Sequence, residues 1–208
     1  MEITRRLLLS LLAGGLAASS LSAAAQTLLA TVDTGTTPVA AAANRATNQI
    51  YTANYDSNNV TVIDGATDQT TTVVAGQYPY DVRVNPLTNK IYVSNFCGND
   101  PTCVSNGTVT VIDGATNNTT TVNVGLAPYQ AAVNTVTNKI YVANSGGNTV
   151  TVIDGATNQT SSVTVGNGPQ GFAVNSVTNK IYVPNFARRY GDRDRRGHAC
   201  NHRGSSGR

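Results

Sequence analysis

Three sets of residues in this chain have chemistry to offer. Asp64, Asp113 and Asp154 recur in the motif Ile-Asp-Gly-Ala-Thr, and carboxylates repeated about an axis would suit a cation. His198, Cys200 and His202 in HACNH have the side chains of a metal centre, and the neighbouring RRYGDRDRR has the charge of a nucleic-acid arm. Cys97 and Cys103 bracket a turn-rich segment, FCGNDPTC, where they can pair with each other or hold a metal.

Each set also has a plainer account. Every aspartate precedes a glycine at the end of a β-like stretch, where its carboxylate bonds local amides and the glycine takes a positive φ, so all three are assigned to turns. Catalysis needs unlike groups converging on one point, whereas repetition spreads like groups around an axis. No catalytic set, cofactor site or metal site is therefore assigned. The body of the chain holds no further Cys or His as a ligand, so Cys97 and Cys103 are expected to form a local disulfide, worth about 2 kcal/mol in the chain-entropy model.

A repeat positions these residues. TNQIYTANYDSNNVTVIDGATDQTTT begins at Thr47, TNKIYVSN at Thr88, TNKIYVANSGGNTVTVIDGATNQTSS at Thr137 and TNKIYVPN at Thr178, spaced 41, 49 and 41 residues apart. Pro38, Pro79, Pro128 and Pro169 keep the same register, as do Gly35, Gly76, Gly125 and Gly166. β-Branched stretches alternate with Gly, Asn, Asp, Ser and Pro, which divides each unit into four short strands. In the later units these fall near residues 139–144, 149–153 and 162–165, with a first strand from Gly171 to Asn175. Four strands in about 41 residues is the spacing of a propeller blade, longer than the coil of a parallel β-helix. KIYV runs apolar without alternation, as a strand covered on both faces does. TVTVI alternates and is expected to be half wetted.

TNKIYVANSGGNTVTVIDGATN resembles the repeat of the YVTN family of β-propellers, exported bacterial proteins related to surface-layer and WD-type propellers. The resemblance spans about residues 28–187 and implies an all-β propeller of four-stranded blades. Similar folds include lactonases, lyases and a subunit of quinoprotein amine dehydrogenases. None of their catalytic signatures can be placed on particular residues of this chain.

The two ends of the chain differ from the repeats. Residues 1–25 combine Arg5 and Arg6, an apolar stretch from Leu7 and the small residues Ala23, Ala24 and Ala25. This is the pattern of a cleaved secretory signal, and Arg5-Arg6 leaves the twin-arginine route open. Export to the periplasm, cell surface or medium is expected, with no membrane span after cleavage.

Residues 188–208 carry seven of the fourteen basic residues. Where the repeat predicts a third strand, the chain reads RRYGDRDRRGHAC. Read one base later, the codons of this tail can spell GGTVTVIDGATHATTVVAV, with its Ile-Asp-Gly-Ala-Thr falling 41 residues after the one at Ile153. Each shifted codon has both outer bases fixed. The tail is therefore expected to be an out-of-frame, disordered reading of a continuing blade, and HACNH and RRYGDRDRR carry no function of their own.

Without the ends, residues 26–187 contain five basic and eight acidic side chains. A nucleic-acid partner, which needs a clustered basic surface, is not expected. The in-frame chain provides three full units, an outer strand near residues 31–34 and the inner half of a fourth blade. This makes an open arc, since closed rings have about four to eight blades.

Sites on such a fold lie on its loops. The second-to-third and inter-blade connections share a face, which would carry the Cys97 to Cys103 loop with Tyr78, Tyr80 and Tyr129. These aromatics either bind a partner or pack between blades. Two functions remain open. One is an exported, non-enzymatic scaffold for an unknown protein or cell-envelope ligand. The other is the N-terminal fragment of an exported propeller enzyme, like the lactonases, lyases or quinoprotein dehydrogenases, whose site lay in missing blades. A product without function is the third outcome.

Overall fold

The computed structural model describes residues 31–186. The signal-like segment and the tail with His198, Cys200 and His202 lie outside the described residues. Among those described there are fourteen strands and no helix, so no helix is long and apolar enough to cross a membrane. The first blade comprises β1 (Pro38–Asn44), β2 (Gln49–Asn54), β3 (Asn59–Asp64) and β4 (Thr70–Val74). The second comprises β5 (Gln77–Asn85), β6 (Lys90–Gly98), β7 (Thr108–Asp113) and β8 (Thr119–Asn123). The third comprises β9 (Pro128–Asn134), β10 (Lys139–Asn144), β11 (Thr149–Asp154) and β12 (Thr160–Thr164). A two-stranded sheet follows, β13 (Ala173–Asn175) and β14 (Lys180–Tyr182). Every sheet is antiparallel with its strands in chain order, and the first strands of successive blades lie side by side. This is an incomplete β-propeller. Residues 31–34, expected as a strand, form none, and the first strand of the last sheet starts at Ala173 rather than Gly171.

Apolar side chains on the sheet faces stack one blade on the next. Val73 of the first blade packs with Val82, Ile91 and Ile112 of the second. Val122 of the second packs in the same way with Ile140, Val142 and Ile153 of the third. The third strands are drier than their alternation predicts, and Thr61, Thr110 and Thr151 are all buried. The reason is hydrogen bonding. The Asn95 amide donates to the hydroxyls of Thr108 and Thr110 at 3.0 and 2.9 Å, and Asn144 does the same to Thr149 and Thr151 at 3.0 and 2.8 Å. Threonine there keeps a β-branched shape while offering a buried acceptor. The wetted strands are the fourth ones, where β4 and β8 bury only Val73 and Val122.

Asparagines link adjacent blades. The amide of Asn44 donates to Asn89 Oδ1 at 2.7 Å, Asn85 to Asn138 at 2.9 Å and Asn134 to Asn179 at 3.0 Å. The acceptors sit in the Thr-Asn turn with φ of 51°, 50° and 53°, a left-handed conformation that asparagine tolerates better than most residues. One side chain thus closes a turn and fixes the register of two blades.

Candidate binding face

The three repeated aspartates remain in separate turns. Asp64 Oδ1 accepts from the amides of Ala66 and Thr67 at 2.8 and 3.0 Å, Asp113 from Ala115 and Thr116, and Asp154 from Ala156 and Thr157. In the second and third blades, Lys90 and Lys139 reach the other carboxylate oxygen of Asp113 and Asp154 at 2.6 Å. These lysine contacts, with the backbone amides, hold both carboxyls down at about 2, and the amides of Ala66 and Thr67, with the Thr67 side chain, lower Asp64. The glycine after each aspartate does not take a positive φ, contrary to expectation. That conformation falls on Asp68, Asn117 and Asn158 at the far end of the turn, with φ of 58°, 59° and 60°. The glycines are needed for close approach instead. A Cβ at Gly114 would lie 2.3 Å from Asn89 Oδ1. Among the described residues no three of His, Cys, Asp and Glu come together to hold a metal.

Cys97 and Cys103 are joined by a disulfide, with Cα atoms 4.5 Å apart. The enclosed turn is organised by Asp100, whose carboxylate accepts from the amides of Thr102, Val104 and Ser105 at 2.8, 3.1 and 2.9 Å. Bonding to the hydroxyl and amide of Thr102 is the main reason that carboxyl lies well below its ordinary value.

Tyr78, Tyr80 and Tyr129 do come together, joined by Tyr55 and Phe96. Tyr80 is at the centre. Its ring centroid lies 4.1 Å from that of Tyr129, 6.2 Å from Tyr55 and 6.4 Å from Phe96, and Tyr55 lies 4.8 Å from Tyr78. The hydroxyls of Tyr80 and Tyr129 are hydrogen-bonded to each other. Tilted and edge-on aromatic pairs of this kind add to the burial of their area. The chain of rings runs over all three blades, so the aromatics pack between blades while most of them stay partly exposed. The segment Gly-Gln-Tyr-Pro-Tyr places them. Gly76 passes so close to β6 that a Cβ would lie 2.5 Å from the Gly98 carbonyl. Tyr78 takes φ of 54° with its amide on Asn58 Oδ1 at 2.8 Å.

Beside the rings, between the first strands, is a cavity of about 460 Å³ bounded by residues 38–40, Tyr80, Asp81, Tyr129 and Gln130. A second, of about 320 Å³, reaches Arg83 and Phe172. Asp81 is only 6% exposed. It receives Arg83 Nε at 2.9 Å and the Ala131 amide at 2.8 Å on Oδ2. Burial still pushes its carboxyl above the ordinary range against the pull of Arg83. Asp81 is thus paired with Arg83, and it lines the cavity together with Tyr80, Tyr129 and Gln130.

Tyr55, Phe96, Asp81, Arg83 and Gln130 were not singled out from the sequence. For two of them a signal exists, because Tyr55 and Phe96 both follow the asparagine of the repeated Ile-Tyr-x-x-Asn, 41 residues apart.

No family model matches the chain, and no curated protein matches it. Solved structures do. The hydrazine synthase of Kuenenia stuttgartiensis superposes with a TM-score of 0.62 at 18% identity, over 74% of this chain and 43% of its own. U3-55K superposes with a TM-score of 0.55 at 10% identity, over 65% of this chain and 42% of its own. Both contain propellers, and this chain spans less than half the length of either. At these identities the likeness is one of fold.

Proposed function

We propose that the chain is an exported, non-enzymatic β-propeller of the YVTN type that serves as a binding or cell-envelope scaffold. Its contact surface is the aromatic face around Tyr80, and its ligand is neutral and rich in hydroxyls, as a glycan is. The observation that carries this is the pairing of Asp81 with Arg83 beside a cavity rimmed by Tyr80, Tyr129 and Gln130. Ring faces stack on the apolar faces of a ligand while hydroxyls and an amide fix its orientation, which is the usual division of labour in a concave site. The disulfide supports export, since such bonds persist in oxidising compartments. Residues 188–208 are, on this proposal, read out of frame. Support comes from β14 and the bridge between Pro169 and Asn185, which keep blade register up to the point where the repeat vanishes from the sequence.

Affinity electrophoresis of the full chain in gels with and without neutral polysaccharides tests the ligand class. Retardation that does not weaken with salt, and that falls at least tenfold in Tyr80→Ala and Tyr129→Ala, is the expected result. Retardation only by acidic polymers, or equal retardation of both variants, would overturn it.

A further inference from the structure

The third blade and the segment around the last sheet hold half of four contacts that the earlier blades complete. In the second and third blades Lys90 pairs with Asp113 and Lys139 with Asp154 across the second and third strands. Lys180 holds the same place in β14, and among the described residues it has no carboxylate partner. Asn95 and Asn144 give their amides to two threonines of the third strand. Asn185 is their counterpart, and among the described residues its side-chain amide donates to the carbonyl of Val183 alone. The carbonyls of Asn89 and Asn138 accept from the amides of Gly114 and Gly155. Asn179 is in the matching left-handed turn, and no such glycine is present among the described residues. Finally, Val73 and Val122 are 6% and 7% exposed beneath the next blade, whereas Val163 is 51% exposed.

We propose that the outer edge of β14 and the Val163 face of the third blade form the docking surface for the two strands encoded one base later in the same gene, GGTVTVIDGATHATTVVAV. This rests on the out-of-frame account of residues 188–208 and goes past it, because the shifted residues match the vacant contacts one by one. The codons of Tyr190 and Gly191 allow only threonine or methionine in the shifted frame, and those of Asp192 and Arg193 allow only threonine or isoleucine. The two threonines so read fall 41 residues after Thr149 and Thr151, where the Asn185 amide needs acceptors. Asp194 and Arg195 allow only isoleucine or threonine, and the isoleucine falls 41 residues after Ile153, which covers Val122 in the preceding interface. The aspartate from Arg195 and Arg196 meets Lys180, and the glycine that follows it meets the Asn179 carbonyl. An edge strand with unpaired backbone groups is a template for such addition. The side-chain half-contacts make it specific for this partner.

The test adds the synthetic 19-residue peptide GGTVTVIDGATHATTVVAV to the purified full chain and follows backbone hydrogen exchange. Exchange across residues 180–185 is expected to slow at least tenfold. A peptide with its aspartate changed to alanine and its strand threonines to valine, or a chain carrying Asn185→Ala, should need at least tenfold more peptide for the same protection. No protection, or equal protection by a scrambled peptide, overturns the proposal. Sequencing the codons of residues 188–208 separates the two claims. Codons that spell no shifted repeat remove the frame account and with it the proposed occupant. Repeat codons without peptide protection remove the docking alone.

Discussion

The second and third blades carry the same words in chain order, yet they are not buried alike. Thr-Val-Thr-Val-Ile-Asp is buried along all but its last residue in β7, and only intermittently in β11. In the fourth strands Val122 is 7% exposed and Val163 is 51% exposed. The difference is the neighbour. The second blade is covered by a full blade on both faces, whereas the third has the second blade on one face and only a two-stranded sheet after it on the other. In a repeat protein stability is approximately a sum of unit and interface terms, so an equal sequence does not give equal energy.

The largest effect should therefore come from the covered interface. Ile112→Ala is expected to cost about 3 kcal/mol, and Val163→Ala to stay within about 0.5 kcal/mol. Chemical denaturation of both variants checks this, and similar costs would mean that the third blade is covered after all. The next effect separates the second blade from the others by its loop. Cys97→Ser with Cys103→Ser should destabilise by about 2 kcal/mol, with faster hydrogen exchange confined to residues near 97–107. A loss spread over all three blades would show that the loop supports more than itself.

The smallest effect concerns acid. The folded-state carboxyls of Asp113 and Asp154 lie at about 2, below the ordinary 3.8, because of Lys90 and Lys139. A depressed carboxyl contributes stability above its unfolded value, and that contribution fades as pH falls from about 4 towards 2. Asp113→Asn with Asp154→Asn should flatten the fall of Tm over that window. An unchanged slope would leave the lysine contacts without weight, as exposed pairs often are.

Much of this was legible in the chain because a repeat tests itself. The strands at Lys139–Asn144 and Thr149–Asp154 lie where the β-branched stretches and turn residues place them. The turn role of Asp64, Asp113 and Asp154 follows from the short reach of aspartate to its own downstream amides. The glycines after them were misread, because local rules supply a preferred φ and say nothing of a neighbouring turn. The buried threonines were misread for a similar reason. Alternation reports polarity, and the Asn95 and Asn144 amides that make a buried hydroxyl acceptable come from another strand.

By itself, then, the sequence determined period, strand number, turn chemistry and the identity of the residues that recur, since these rest on contacts within a few positions along the chain. Tertiary structure alone decided three things. It gathered Tyr55, Tyr78, Tyr80, Phe96 and Tyr129 from three blades onto one face, it buried Asp81 of the second blade against the Ala131 amide of the third, and it left Val163 exposed where its counterparts are buried. Each depends on which surfaces meet across blades some 41 to 49 residues apart. The physical reason is that desolvation is set by the atoms of a neighbour, and local preference does not encode which neighbour is present.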